Sequence, residues 1–145
     1  MSRDTDQVDD SEYLYRAVPN VPDYISYENG SLKNLGKAAC KAFSNDSDGL
    51  SFFRANFVEP QKITELLTNE NGYYIFKIKA SDIRKLGLSL NPTPNLSDLP
   101  GHVSLPEINT NNQNKSKRGE LVKLLKENAK IVLTPMDYKK DSNNS

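Results

Sequence analysis

Residues 73–87 read Tyr-Tyr-Ile-Phe-Lys-Ile-Lys-Ala-Ser-Asp-Ile-Arg-Lys-Leu-Gly. The aromatic and β-branched run Tyr73–Lys79 predicts the strongest strand of the chain. Ser81 to Gly87 then predicts one capped helical turn, with Ser81 at its start and Gly87 as its stop. Upstream, Pro60 suits the first turn of a helix over 59–67, whose apolar stripe is Ile63, Leu66 and Leu67. Leu50–Ala55 predicts another aromatic-rich strand, and Tyr13–Val18 a first strand that Pro19 and Pro22 bring to an end.

Further out the signals weaken. Leu32, Leu35, Ala39 and Ala42 recur at helical spacing, which predicts a short helix over 31–43 in spite of Gly36. Leu88–Leu90 predicts a short strand. The segment 91–101 holds Pro92, Pro94 and Pro100 and predicts an ordered loop. His102–Pro106 predicts a strand, and Asn109–Ser116 (NTNNQNKS) a mobile polar loop. A helix follows over 117–130, with Leu121, Val122, Leu124, Leu125 and Ala129 along one side, and then the apolar run Ile131–Leu133 closed by Pro135. The expected architecture is α+β: a small mixed, mostly antiparallel sheet with two to three helices packed on it. Residues 13–135 form the single domain, between a disordered acidic tail over 1–12 and a disordered tail over 136–145.

Composition narrows the function classes. The 145 residues carry 19 basic and 19 acidic side chains, so the formal net charge is zero. The two ends have opposite sign: Asp4, Asp6, Asp9, Asp10 and Glu12 face only Arg3 at the start, whereas basic residues outnumber acidic ones after Lys115. Aromatic and basic side chains interleave around Tyr73–Lys85, but a balanced charge makes nucleic acid an unlikely partner. Cys40 is the one cysteine; an internal disulfide is impossible, which favours a reducing compartment, the cytoplasm. The acidic start has no apolar stretch of the kind a secretory signal needs. No apolar run approaches the length of a membrane span.

The search for chemistry returns few groups. Neither a P-loop nor a glycine-rich dinucleotide turn is present, so no cofactor is expected. His102 and Cys40, each the one residue of its type, cannot build a Cys/His metal cluster. A catalytic Cys40 would need activation by His102, and its neighbours Ala38, Ala39 and Ala42 suggest a small buried filler instead. Arg16 and Arg54 are each embedded in an apolar strand, where a guanidinium needs a carboxylate, a phosphate or several carbonyls. Pairing with Asp48, Glu59 or Asp82 is the plain reading; an anion or nucleotide site built by both arginines is the sharper one. His102 follows a proline-rich loop at a strand start, where it either holds the loop by a ring hydrogen bond or serves a site. The candidate ligand-binding residues are Arg16, Ser51, Arg54 and His102.

Two resemblances attach to these residues. Leu14-Tyr15-Arg16, Ala42-Phe43, Asp48–Phe52 with Arg54, Ile83–Leu88, Asn91–Pro94 and His102-Val103, in this order, resemble a group of small uncharacterised bacterial proteins frequent in actinobacteria and cyanobacteria. That likeness spans about residues 13–105 and implies a compact bacterial domain without an attached activity. A fainter likeness is to RES-type toxins and the wider ADP-ribosyltransferase group, which grip NAD with an arginine-bearing strand and a serine-containing strand. Arg16 and Ser51 match those positions, and Glu107 is the one candidate for the acid that would activate the nicotinamide ribose. Two functions are therefore expected. The first is a binding or accessory module, leaning away from catalysis, that contacts another protein encoded nearby. The alternative is an NAD- or nucleotide-handling enzyme of toxin type.

Overall fold

The computed structural model describes residues 3–20, 25–28, 31–35, 49–67, 72–108 and 114–135. Strands β1 (Tyr13–Pro19), β2 (Ile25–Glu28), β3 (Ser31–Leu35) and β4 (Leu50–Arg54) come first. Helix α1 (Pro60–Leu66), strand β5 (Tyr73–Lys79) and the short helix α2 (Ala80–Arg84) follow. Strands β6 (Asn91–Pro92) and β7 (His102–Leu105), helix α3 (Lys115–Asn128) and strand β8 (Lys130–Leu133) complete the chain. Six strands form one sheet in the order β6-β7-β4-β1-β5-β8, and β2 and β3 form a separate hairpin. Every described pairing is antiparallel, so the α+β expectation holds with its sheet wholly antiparallel among the described residues.

The sheet is centred on β1, which pairs along its full length with β5, from Tyr13↔Lys79 to Pro19↔Tyr73. Successive side chains alternate faces, and here both faces are covered. One face carries Leu14, Val18, Phe52, Phe76, Ile78, Val103 and Leu105, packed with Ile83 of α2 and Leu121, Val122 and Leu125 of α3. The other carries Ala17, Phe53, Ile75 and Leu133, packed with Ile63 of α1 and Val58. That double burial is why the strands read as near-continuous apolar runs. No helix among the described residues is long and apolar enough to cross a membrane.

Several elements differ from expectation. Residues 31–35 are a strand rather than the start of a helix, paired with β2 from Ile25↔Leu35 to Glu28↔Ser31; cross-strand hydrogen bonds override the loose helical spacing. The remainder of the expected helix, with Cys40, lies outside the described residues. Leu88–Leu90 is not a strand, although Leu88 and Leu90 are buried in the core. Helix α3 begins two residues early, at Lys115, where Asn114 accepts from the Lys117 amide. It ends at Asn128, and Lys130 pairs with Lys77 instead. Of the loop expected to be mobile, 109–113 lie outside the described residues and 115–116 are helical. Gly87 closes α2 as expected, at φ +82°, a conformation glycine adopts without Cβ strain.

The largest departure is at the acidic start. Residues 3–12 are not a free tail: they lie against the sheet, with Val8 and Glu12 buried. Arg54 is 2% exposed and is the reason. Its Nε and Nη2 donate to the two Glu12 carboxylate oxygens at 2.9 and 2.8 Å. Its Nη1 donates to the carbonyl oxygens of Asp6 at 2.6 Å and Asp4 at 3.3 Å. A buried guanidinium must have its donors met, and the acidic segment meets them. Arg84 adds a second anchor through Asp10 Oδ1 at 2.7 Å and the Val8 carbonyl. The backbone joins in, as the Ala80 amide donates to the Glu12 carbonyl at 2.8 Å and the Ser81 amide to the Asp10 carbonyl at 3.1 Å.

The two anchors differ in burial, and so in expected strength. Arg54→Ala strands the Glu12 carboxylate in a dry site and is expected to cost about 3–5 kcal/mol by chemical denaturation. Asp10→Ala removes a pair whose carboxylate is largely exposed and is expected to cost less than about 1 kcal/mol.

Candidate functional site

A cavity of about 400 Å³ opens on the sheet face that carries α1. Its floor is Ala17 of β1, Ser51 and Phe53 of β4, and His102 of β7. The pleat explains the grouping, because β4 and β7 pair as Phe53↔His102 and β1 and β4 as Tyr15↔Phe53, so Ala17, Ser51, Phe53 and His102 share one face. Leu66 and Leu67 at the end of α1 form one wall, and the segment Asn95–Asp98 forms the other. Leu66 and Leu96 are 38% and 44% exposed, two of the exposed large apolar side chains of the protein, and both stand on this rim.

Arg16 reaches the cavity from an unexpected direction. Alternation puts it with Leu14 and Val18 on the opposite face, and its guanidinium carbon lies 5.9 Å from the centre of the Phe52 ring. The β1–β4 ladder, however, registers at two pairs, Leu14↔Arg54 and Tyr15↔Phe53. One residue further along, the Arg16 Nη1 donates to the Ser51 carbonyl at 2.9 Å. The side chain thus takes a main-chain acceptor on the neighbouring strand, and Arg16 is among the residues lining the cavity while remaining 1% exposed.

His102 is fixed by its neighbours. Its Nδ1 lies 2.8 Å from the Thr93 hydroxyl, which is in turn 2.9 Å from the Ser104 hydroxyl. The Thr93 amide donates to the His102 carbonyl at 2.8 Å, and the ring meets Phe53 edge-on, 5.3 Å between centroids at 81°. The histidine therefore does hold its loop, through the Thr93 hydroxyl, and its residue lines the cavity as well. On the same face, burial and then the Glu59 carboxylate push the Tyr15 phenol above its usual range. Burial does the same to Tyr73.

Of the four candidate residues, Arg16, Ser51 and His102 line one cavity. Arg54 does not: it pairs with Leu14 on the opposite face, and its described hydrogen bonds all go to residues 4–12. Among the described residues its carboxylate partner is Glu12, not Glu59 or Asp82; Asp48 lies outside the described residues, and Asp82 sits 3.9 Å from Lys85. Glu107 is not at the cavity either, as its carboxylate accepts from the Ser89 amide at 2.8 Å. The acid that is there is Asp98, which nothing in its proline-rich sequence context marks. Among the described residues, no cluster of His, Cys, Asp and Glu is placed to hold a metal ion. Comparison with known proteins finds no matching family model, no matching curated protein and no matching solved structure.

The Thr93 hydroxyl is shared between His102 and Ser104, both buried. Thr93→Val is expected to cost about 1–3 kcal/mol by leaving buried polar groups unmet, and to shift the ¹⁵N resonances of the His102 ring. Thr93→Ser keeps the hydroxyl and is expected to stay close to wild type in both measurements.

Proposed function

We propose that this chain is a small bacterial binding module of the cytoplasm whose site is the cavity over Phe53 and His102, and that its occupant is a nucleotide-type molecule. The observation that carries the reading is the convergence of Arg16, Ser51 and His102 with two exposed leucines on one concave site. Binding sites for small molecules are concave and carry a few placed polar groups that fix the orientation of the ligand. Leu66 and Leu96 offer apolar faces to a planar ring, and Asn95, Ser97 and Asp98 offer donors and acceptors to its edge. The likeness of Arg16 and Ser51 to the NAD-gripping positions of ADP-ribosyltransferases supports the same ligand class. An accessory role toward a protein encoded nearby uses the same rim, with a partner side chain entering between Leu66 and Leu96.

Titration with adenosine monophosphate, followed by amide resonances, separates these occupants. Saturable shifts at Phe53, Ser97 and His102 are expected. Leu96→Asp, at an exposed position, is expected to weaken binding by about tenfold or more, the loss of roughly 1.4 kcal/mol. Shifts absent, or scattered away from the cavity, would contradict the nucleotide reading. Incubation with NAD is expected to leave it intact, and release of nicotinamide would replace the binding role with a transferase or hydrolase.

A further inference from the structure

The anchored acidic segment and the cavity meet at two consecutive pairs of residues. Phe53 and His102 line the cavity, and their chain neighbours Arg54 and Gly101 belong to the anchor. The Arg54 amide donates to the Gly101 carbonyl at 2.8 Å. The Gly101 amide donates to Asp4 Oδ2 at 3.3 Å. Gly101 has φ +82°, and a Cβ there would stand 2.9 Å from the Phe57 Cβ and 3.3 Å from the Arg54 Cβ, so the loop closes on β4 without room for a side chain. The guanidinium carbon of Arg54 lies 4.9 Å from the centre of the Phe57 ring. The segment 94–101, which includes the cavity wall, is thus held at one end by Thr93 on His102. At the other end it is held by Gly101 on Arg54 and Asp4.

We propose that residues 3–12 act as a clasp for the cavity. Glu12 on Arg54 and Asp4 on Gly101 hold the 94–101 wall in place, and release of the clasp loosens that wall and weakens ligand binding. The inference rests on the cavity being a binding site. Three features support it. The Arg54 guanidinium directs all its described hydrogen bonds at residues 4–12. The acceptors on the segment include the main-chain carbonyls of Asp4, Asp6, Val8, Asp10 and Glu12 beside the carboxylates, so its path and not only its charge is fixed. A polar cleft of about 300 Å³, lined by Asp6, Gln7, Glu12, Arg54 and Asn56 among others, runs beside the contact. Arg84 and Asp10 anchor the same segment at α2, away from the cavity wall, and provide an internal control.

The test is amide hydrogen exchange on the full chain, wild type against Glu12→Gln, Asp4→Asn and Asp10→Asn, with an adenosine monophosphate titration of each. Glu12→Gln is expected to speed exchange across 94–102 by about tenfold or more while β5 and α3 keep their protection, and to raise the Kd by a similar factor. Asp4→Asn moves both readouts the same way by less, and it carries the test should Glu12→Gln fail to fold. Asp10→Asn leaves 94–102 at its wild-type rate. Unchanged exchange at 94–102 in both clasp variants overturns the proposal, as does a rise shared equally by β5 and α3. A loosened wall with an unchanged Kd overturns the coupling to ligand. Wild type that fails to bind the nucleotide sinks the cavity reading instead, and the exchange data then decide the clasp alone.

Discussion

Two arginines inside one sheet set the terms for the rest of the structure. Arg16 and Arg54 are among the largest fully buried side chains, beside Phe52 and Phe76. A guanidinium keeps its charge at any accessible pH, so burying one is costly and its donors draw acceptors toward it. The two are held in different ways. Arg54, at the end of β4, draws in the acidic segment that precedes β1. Arg16, in the middle of β1, takes a main-chain carbonyl of the neighbouring strand.

Those two solutions shape the functional surface. The Arg54 solution makes residues 3–12 part of the folded unit and ties the start of the chain to Gly101, next to the cavity histidine. The Arg16 solution places a guanidinium between β1 and β4, beside Ser51. The cavity lies between these features, with a rigid floor supplied by paired strands and a wall supplied by a loop pinned at both ends. Binding residues carried on loops over a fixed scaffold are a common arrangement, and here the scaffold's own electrostatic needs determine where the loop sits.

Much of the fold is legible in the sequence. The strands β1, β4, β5 and β7 and the helices α1 and α2 announce themselves through aromatic runs, Pro60 and Gly87. Each is a local signal with a local cause. The hairpin partner Ser31–Leu35 is misread because its spacing also suits a helix and its pairing depends on β2. The acidic start is misread for a different reason. A run of Asp and Glu without aromatic residues has the composition of a solvated tail, and only the position of Arg54, forty-two residues away from Glu12, gives that charge a partner. The site is half legible. Arg16, Ser51 and His102 stand out as polar groups in apolar strands, whereas Leu66, Leu96 and Asp98 are marked by exposure, which the sequence does not encode locally.

The acidic segment is structured by a buried ion pair and is not merely adjacent to it. The most direct measurement is the ¹H–¹⁵N heteronuclear NOE across residues 4–12 of the full chain, compared with β1 and β5. Values for 4–12 equal to those of the strands, together with a slowly exchanging Arg54 Nε–H, are the predicted result. Low values over 4–12, as in a freely moving tail, would contradict the account at its root.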